Sequence, residues 1–189
     1  NERGTYIFNS KDLCMIEYIP ELIDAGINSF KIEGRMKSAL YVATVARAYR
    51  KAIDDFFESP DSYQANTKKY KDEVEKNTYR QFSTGFFFGK PDKDSQIYDN
   101  NTYVKAYTYL GFIEGQGQEG MYELEQRNKF SIGEEIEVMK PDGRSILVKV
   151  QAMKDEEGEN IESCPHPKQK IFVDLGIDLE EFDILRRKE

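Results

Sequence analysis

Between Ser38 and Phe57, in "SALYVATVARAYRKAIDDFF", apolar residues return every three or four positions. Leu40, Ala43, Ala46, Ile53, Phe56 and Phe57 share one broad face, which predicts an amphipathic helix with Ser38 as its N-cap. The period changes in the stretch before it, "SFKIEGRMKS". There Phe30 and Ile32 alternate with Lys31, Glu33 and Arg35, so this stretch reads as a strand with one apolar and one charged face. Further upstream, "MIEYIPELIDAGI" has helical spacing at Ile16, Ile19, Leu22, Ile23 and Ile27, with Pro20 near its start and Gly26 at its stop. "GTYIFNS", Gly4 to Ser10, is a short β-prone run ending in turn residues. The order strand, helix, strand, helix predicts right-handed βαβ units in a parallel sheet.

From Glu58 to Asn77 the chain turns polar, which predicts a linker with one short solvated helix near Tyr70–Lys76. The following "TYRQFSTGFFFGKP" is dense in aromatics and glycines. Phe82, Phe86, Phe87 and Phe88 are expected to be covered between two units, because four exposed phenyl rings are an aggregation hazard. From about Tyr103, short alternating runs are punctuated by turns such as "PDG" and "EEGEN", the pattern of a small antiparallel β-barrel. Its expected core is Tyr107, Phe112, Ile136, Val138, Val148, Val150, Ile171 and Val173. The fold class is thus α/β followed by all-β. Residues 1–60 form the βαβα part, 61–102 a linker and aromatic-rich interdomain segment, and 103–189 the β-barrel.

Two parallel strands cannot close a sheet. If the other strands precede Asn1, the first part is the end of an (α/β) barrel. Phe30 and Ile32 then face its helices, while Lys31, Glu33 and Arg35 face the interior and the mouth, where such barrels keep their chemistry. Cys14, after the first strand, reaches the same mouth. Glu33 and Arg35 are the candidate catalytic residues, and Lys31 and Arg35 the candidates for binding an anionic substrate. Structural alternatives stand beside these: a Lys31–Glu33 ion pair filling a barrel layer, Arg35 capping a helix, Cys14 as a small buried residue. In "CPHPKQK", Cys164 and His166 make a Cys-x-His pair, which reads either as a weak metal site or as a rigid barrel corner between Pro165 and Pro167.

Charge and composition narrow the function. Of 189 residues, 39% are hydrophobic and 13% aromatic, enough for a packed core. No apolar run approaches the roughly 20 residues of a membrane-spanning helix. Two cysteines 150 positions apart are no disulfide framework, and a reducing cytoplasm is the expected compartment. The chain does not begin with Met, and it is expected to be the C-terminal part of a longer protein. Residues 100–189 hold 12 basic and 19 acidic residues and so carry most of the net −8. A broad phosphate-binding surface there is disfavoured, and a protein partner favoured, because nucleic-acid affinity comes largely from Lys and Arg neutralising phosphates.

"NSKDLC", "IPELIDAGINSFKIEGRMKSALYVATVARAYRKAID", "RQFSTGFFFG" and "CPHPKQK" together resemble the C-terminal part of the peptidase U32 family, the collagenase-like proteases. The resemblance runs over nearly the whole chain. It implies a mostly missing barrel domain followed by a small β-barrel. Members include proteins of prephenate-dependent tRNA uridine hydroxylation, an rRNA cytidine hydroxylation protein and ubiquinone-hydroxylation partners. Several bind a [4Fe–4S] cluster through four cysteines, and the resemblance places the last of the four on Cys14, the other three lying upstream. One thiolate does not hold a cluster, so none is expected in this chain alone. The implied function is iron–sulfur-dependent hydroxylation of a tRNA uridine by the full-length protein, with tRNA or another RNA as substrate. In that reading Arg35 anchors phosphate or the carboxylates of prephenate, and Glu33 orients it or acts as acid/base. The alternatives are a U32 peptidase and a non-catalytic β-barrel docking module. The peptidase has no HExxH and no Ser/His/Asp arrangement here to support it.

Overall fold

A computed structural model describes residues 9–98 and 104–189, in two units, residues 1–106 and 107–189. In the first unit, a short 3-10 turn, Ile16–Tyr18, leads into helix α1 (Ile19–Asp24), with Pro20 in its first turn. Helix α2 (Ala39–Glu58) starts where the sequence places it. The Ser38 hydroxyl accepts the Tyr41 amide N–H at 3.2 Å. A third helix, α3 (Pro60–Val74), replaces the expected polar linker. It follows α2 with only Ser59 between them, and Pro60 supplies the fixed φ suited to a first turn. Its buried residues are Tyr63, Tyr70 and Val74, so three side chains on one face outweigh a polar composition.

These helices share a core of Ile16, Ile19, Val45, Ala48, Ala52, Tyr63, Tyr70 and Val74. Each large apolar side chain buried there contributes roughly 1.5–3 kcal/mol. Polar ties fix the geometry. The Tyr63 hydroxyl donates to the Ile16 carbonyl at 2.8 Å and accepts the Ile19 N–H at 3.4 Å. Asp55 is buried and accepts from Lys51, the Tyr70 hydroxyl and Asn66.

Short strands complete the unit. β1 (Asp12–Leu13) pairs with β3 (Phe82–Ser83) in parallel, and β2 (Thr78–Tyr79) with β4 (Val104–Lys105) antiparallel. The expected strand in "GTYIFNS" falls largely outside the described residues. The expected strand at Ser29–Arg35 does not form: among the described residues its backbone joins no ladder. Period-2 alternation selects a face but supplies no neighbour, and a strand without a neighbour leaves its N–H and C=O groups unpaired. The aromatic segment also differs from expectation. Phe82 packs on the helical core, but Phe86, Phe87 and Phe88 are 79%, 54% and 60% exposed. They sit on a turn in which Thr84 O accepts the Phe87 N–H at 3.2 Å.

The second unit is an antiparallel sheet of β5 (Tyr107–Gln116), β6 (Tyr122–Gln126), β7 (Glu135–Met139), β8 (Ser145–Lys149), β9 (Ala152–Lys154), β10 (Lys170–Asp174) and β11 (Ile184–Lys188). Its order is β8-β7-β11-β5-β6-β10-β9. The two end strands are joined by Val150 and Gln151 alone, so the sheet has to curl until its ends meet. Val150 bonds back to Gly133 and Glu134 beside β7, while the Gln151 N–H donates to Asp174 O of β10 at 2.9 Å. One bent strand thereby links the two ends of a strongly curled sheet, a half-barrel that fits a small β-barrel domain. Its core includes Ile136, Val138, Val148, Val150, Ile171 and Val173, as expected. On β5, however, Leu110 and Ile113 point inward rather than Tyr107 and Phe112. Register shifts against β6 and β11 break the alternation there.

Candidate functional site

Cys14 leaves the β1–β3 ladder at its end. The Asp12 N–H donates to Gln81 O at 2.9 Å and the Cys14 N–H to Ser83 O at 3.0 Å, which fixes the cysteine backbone on the β3 segment. Its Sγ lies 3.8 Å from the hydroxyl of Tyr49, on the core-facing side of α2. That hydroxyl accepts the Met15 N–H at 2.9 Å, so Tyr49 holds the loop on both sides of the Cys14 peptide. Burial pushes the Cys14 thiol above its ordinary value, against the opposing pull of the Ile16 N–H and the Tyr49 hydroxyl. A helix N-terminus would favour a thiolate here. The element that follows is a three-residue 3-10 turn, and desolvation prevails over it. Burial and the neighbouring Cys14 likewise raise the Tyr49 phenol.

A groove of about 540 Å³ opens beside this pair, and Cys14, Lys31, Glu33, Lys37 and Tyr49 are among its lining. Three sequence-derived candidates therefore meet in one concavity. Arg35 does not line it. The Glu33 carboxylate accepts the Arg35 backbone N–H at 3.0 Å, an exposed local turn bond rather than a carboxylate–guanidinium pair. Among the described residues no ion pair joins Lys31 to Glu33. Lys37 stands over the Tyr41 ring, 5.0 Å from its centre. Tyr49 was not singled out in the sequence. Its signal was a phenol inside the Val45–Ala48–Ala52 stripe of α2, a polar tip that has to find a partner when buried.

Cys164 belongs to the barrel core. It is fully buried, burial raises its thiol, and its Sγ donates to Phe130 O at 3.5 Å. His166 is exposed on the turn that follows. Among the described residues no group of three or more His, Cys, Asp or Glu side chains is placed to hold a metal ion. For a four-thiolate cluster the described residues furnish one thiol at the groove, Cys14, and so do not hold such a cluster by themselves. No helix among the described residues is long and apolar enough to cross a membrane.

Comparison with known proteins covers both units. The profile of peptidase family U32 matches residues 1–97, and that of the peptidase family U32 C-terminal domain matches residues 105–186. "tRNA hydroxylation protein P1" of Bacillus subtilis is 33% identical over 187 residues, covering 98% of this chain and 44% of that protein. "tRNA hydroxylation protein P" of Escherichia coli is 33% identical over 183 residues, 95% of this chain and 39% of that protein. "Collagenase" of Porphyromonas gingivalis is 29% identical over 153 residues, 80% of this chain and 42% of that protein. The chain thus spans less than half the length of these relatives. The C-terminal domain of a Geobacillus thermoleovorans U32 protein matches 42% of this chain and 99% of its own, at 25% identity and a TM-score of 0.39. With one family profile ending at residue 97 and its C-terminal companion beginning at residue 105, the chain belongs to peptidase family U32.

Proposed function

We propose that the chain is part of a protein that hydroxylates a uridine in tRNA. The observation that carries this reading is the 33% identity to "tRNA hydroxylation protein P1", which runs through helices and barrel alike. The groove of the first unit supports it, because it gathers a thiol, an ammonium and a carboxylate in one place. In this reading Cys14 is one of four thiolate ligands of a [4Fe–4S] cluster, and the other three come from outside the described residues. Lys31 and Arg35 bind an anionic group of the substrate or co-substrate. Glu33 is a catalytic carboxylate that also orders the turn carrying Arg35. Ser29–Gly34 becomes a strand of an (α/β) barrel when strands from the rest of the protein pair with it, and the groove becomes part of the barrel mouth. A tRNA substrate places the protein in the cytoplasm. The acidic β-barrel is then a surface for a protein partner rather than for phosphates.

The test uses the full-length protein. Cys14→Ala is expected to lose both iron and hydroxylated uridine, measured by iron analysis and by mass spectrometry of tRNA nucleosides. Arg35→Lys is expected to keep iron and lose hydroxylation, since an ammonium does not reproduce a planar two-point contact. Full iron occupancy in Cys14→Ala overturns the ligand assignment. Hydroxyuridine content that stays unchanged in a deletion strain, together with peptide cleavage by the purified protein, turns the reading to the peptidase alternative.

A further inference from the structure

A second groove, of about 690 Å³, lies in the same unit and has no role in the reading above. Phe86 and Phe87 form its apolar wall, 79% and 54% exposed. The turn that presents them is braced from behind. The Phe88 ring lies against Tyr18, centroids 4.7 Å apart, and Gly85 and Gly89 take positive φ on either side of the three rings. Three consecutive phenylalanines are thus held out to solvent by a fixed turn instead of folding inward.

The polar lining has a definite sign. Lys11 and Lys90 line the groove, and among the described residues neither ammonium has an ion-pair partner. Asp92 is the lone carboxylate of the lining, and its Oδ1 is occupied by the Asp94 N–H at 2.9 Å. In a chain of net charge −8, this is a locally cationic groove walled by aromatic rings. Leu13 and Phe87 line both this groove and the one containing Cys14, Lys31 and Glu33, so the two are neighbours that share a wall.

We propose that the Phe86–Phe87 groove is a platform on which an unpaired base of the RNA substrate stacks, with Lys11 and Lys90 holding its flanking phosphates. This rests on the tRNA reading and adds where the RNA lies. Exposed rings beside unpaired ammonium groups are what single-stranded RNA needs: a face for the base and cations for the backbone. A volume of this size holds a nucleotide, and the shared Phe87 sets it beside the groove of Cys14.

The experiment measures anisotropy of labelled, unmodified tRNA with the full-length protein, alongside thermal midpoints and hydroxyuridine content in cells. Phe86→Ala combined with Phe87→Ala is expected to raise Kd about tenfold at an unchanged midpoint, and Phe→Tyr at both positions to restore it. Lys90→Gln is expected to lower the slope of log Kd against log salt by about 0.7, one phosphate contact on a single strand. Wild-type protein that neither binds nor hydroxylates tRNA overturns the tRNA reading, and this inference with it. Wild-type protein that does both, while the double alanine variant binds equally well, overturns the platform alone. A fall in thermal midpoint with unchanged Kd also overturns it, because the rings then cover another part of the protein. Loss of a co-purifying protein with tRNA affinity retained does the same.

Discussion

At the scale of single residues, Asp55 shows how polar groups decide the helical unit. Its carboxylate is buried between α2 and α3, where desolvation pushes the pKa up, yet hydrogen bonds from Lys51 and the Tyr70 hydroxyl hold it below its ordinary value. A depressed carboxyl pKa stabilises the fold above the unfolded value near 3.9, and that stability is lost as pH falls through the folded value. Asp55→Ala is therefore expected to cost about 1–3 kcal/mol at pH 7, chiefly by leaving the Tyr70 hydroxyl without an acceptor. The difference from wild type should shrink below about pH 4. Urea titrations at the two pH values check this, and an equal difference at both contradicts it. The Ser38 cap was legible in the sequence, because capping is local. Asp55 and Tyr49 were not, since each matters through a partner 15 to 35 positions away.

At the scale of elements, hairpins were easier to read than the faces of their strands. The turn between β7 and β8 is the predicted Pro-Asp-Gly: Gly143 takes φ +95° and the Asp142 side chain accepts the Arg144 N–H at 2.9 Å. The inward face of β5 was misjudged because two register shifts interrupt its alternation, and a bulge leaves little trace in a hydropathy pattern. Glycine on that strand supplies the missing signal. A Cβ on Gly111 falls 2.5 Å from the Glu125 carbonyl oxygen, whereas one on Gly115 meets nothing within 4 Å. Gly111→Ala is expected to destabilise the barrel by about 1–3 kcal/mol. Gly115→Ala on the same strand should be neutral or slightly stabilising. Equal denaturation midpoints for the two variants refute the close approach of β5 and β6 as the reason for Gly111. Helix α3 carries the opposite lesson, since a polar stretch became a helix because Tyr63 and Tyr70 lie seven positions apart and stack at 5.8 Å.

At the scale of the whole molecule, the two units differ in how completely each satisfies itself. The curled β-sheet of the second unit buries fifteen apolar residues in one cluster and pairs Lys140 with Asp183 and Arg186 with Glu137 inside it. Lys140 Nζ lies 2.6 Å from Asp183 Oδ2, with the two side chains 5% and 0% exposed. The helical unit instead leaves Ile27, Ile32 and Met36 exposed around the segment at Ser29–Gly34, whose backbone joins no ladder among the described residues. An apolar surface next to open backbone donors and acceptors is a template for strand pairing, either with the rest of the protein or with another chain. Expressed alone, residues 107–189 are accordingly expected to be soluble and to unfold cooperatively, with an unfolding enthalpy near 60 kcal/mol for about 80 residues. Residues 1–106 alone should associate with rising concentration. Within the barrel, Lys140→Met strands a buried carboxylate and should cost about 3–5 kcal/mol, whereas Lys140→Met with Asp183→Leu should recover much of it. Calorimetry and sedimentation of the two segments check both statements. A barrel segment that melts without cooperativity, or a helical segment that stays monomeric at high concentration, contradicts this division of self-sufficiency.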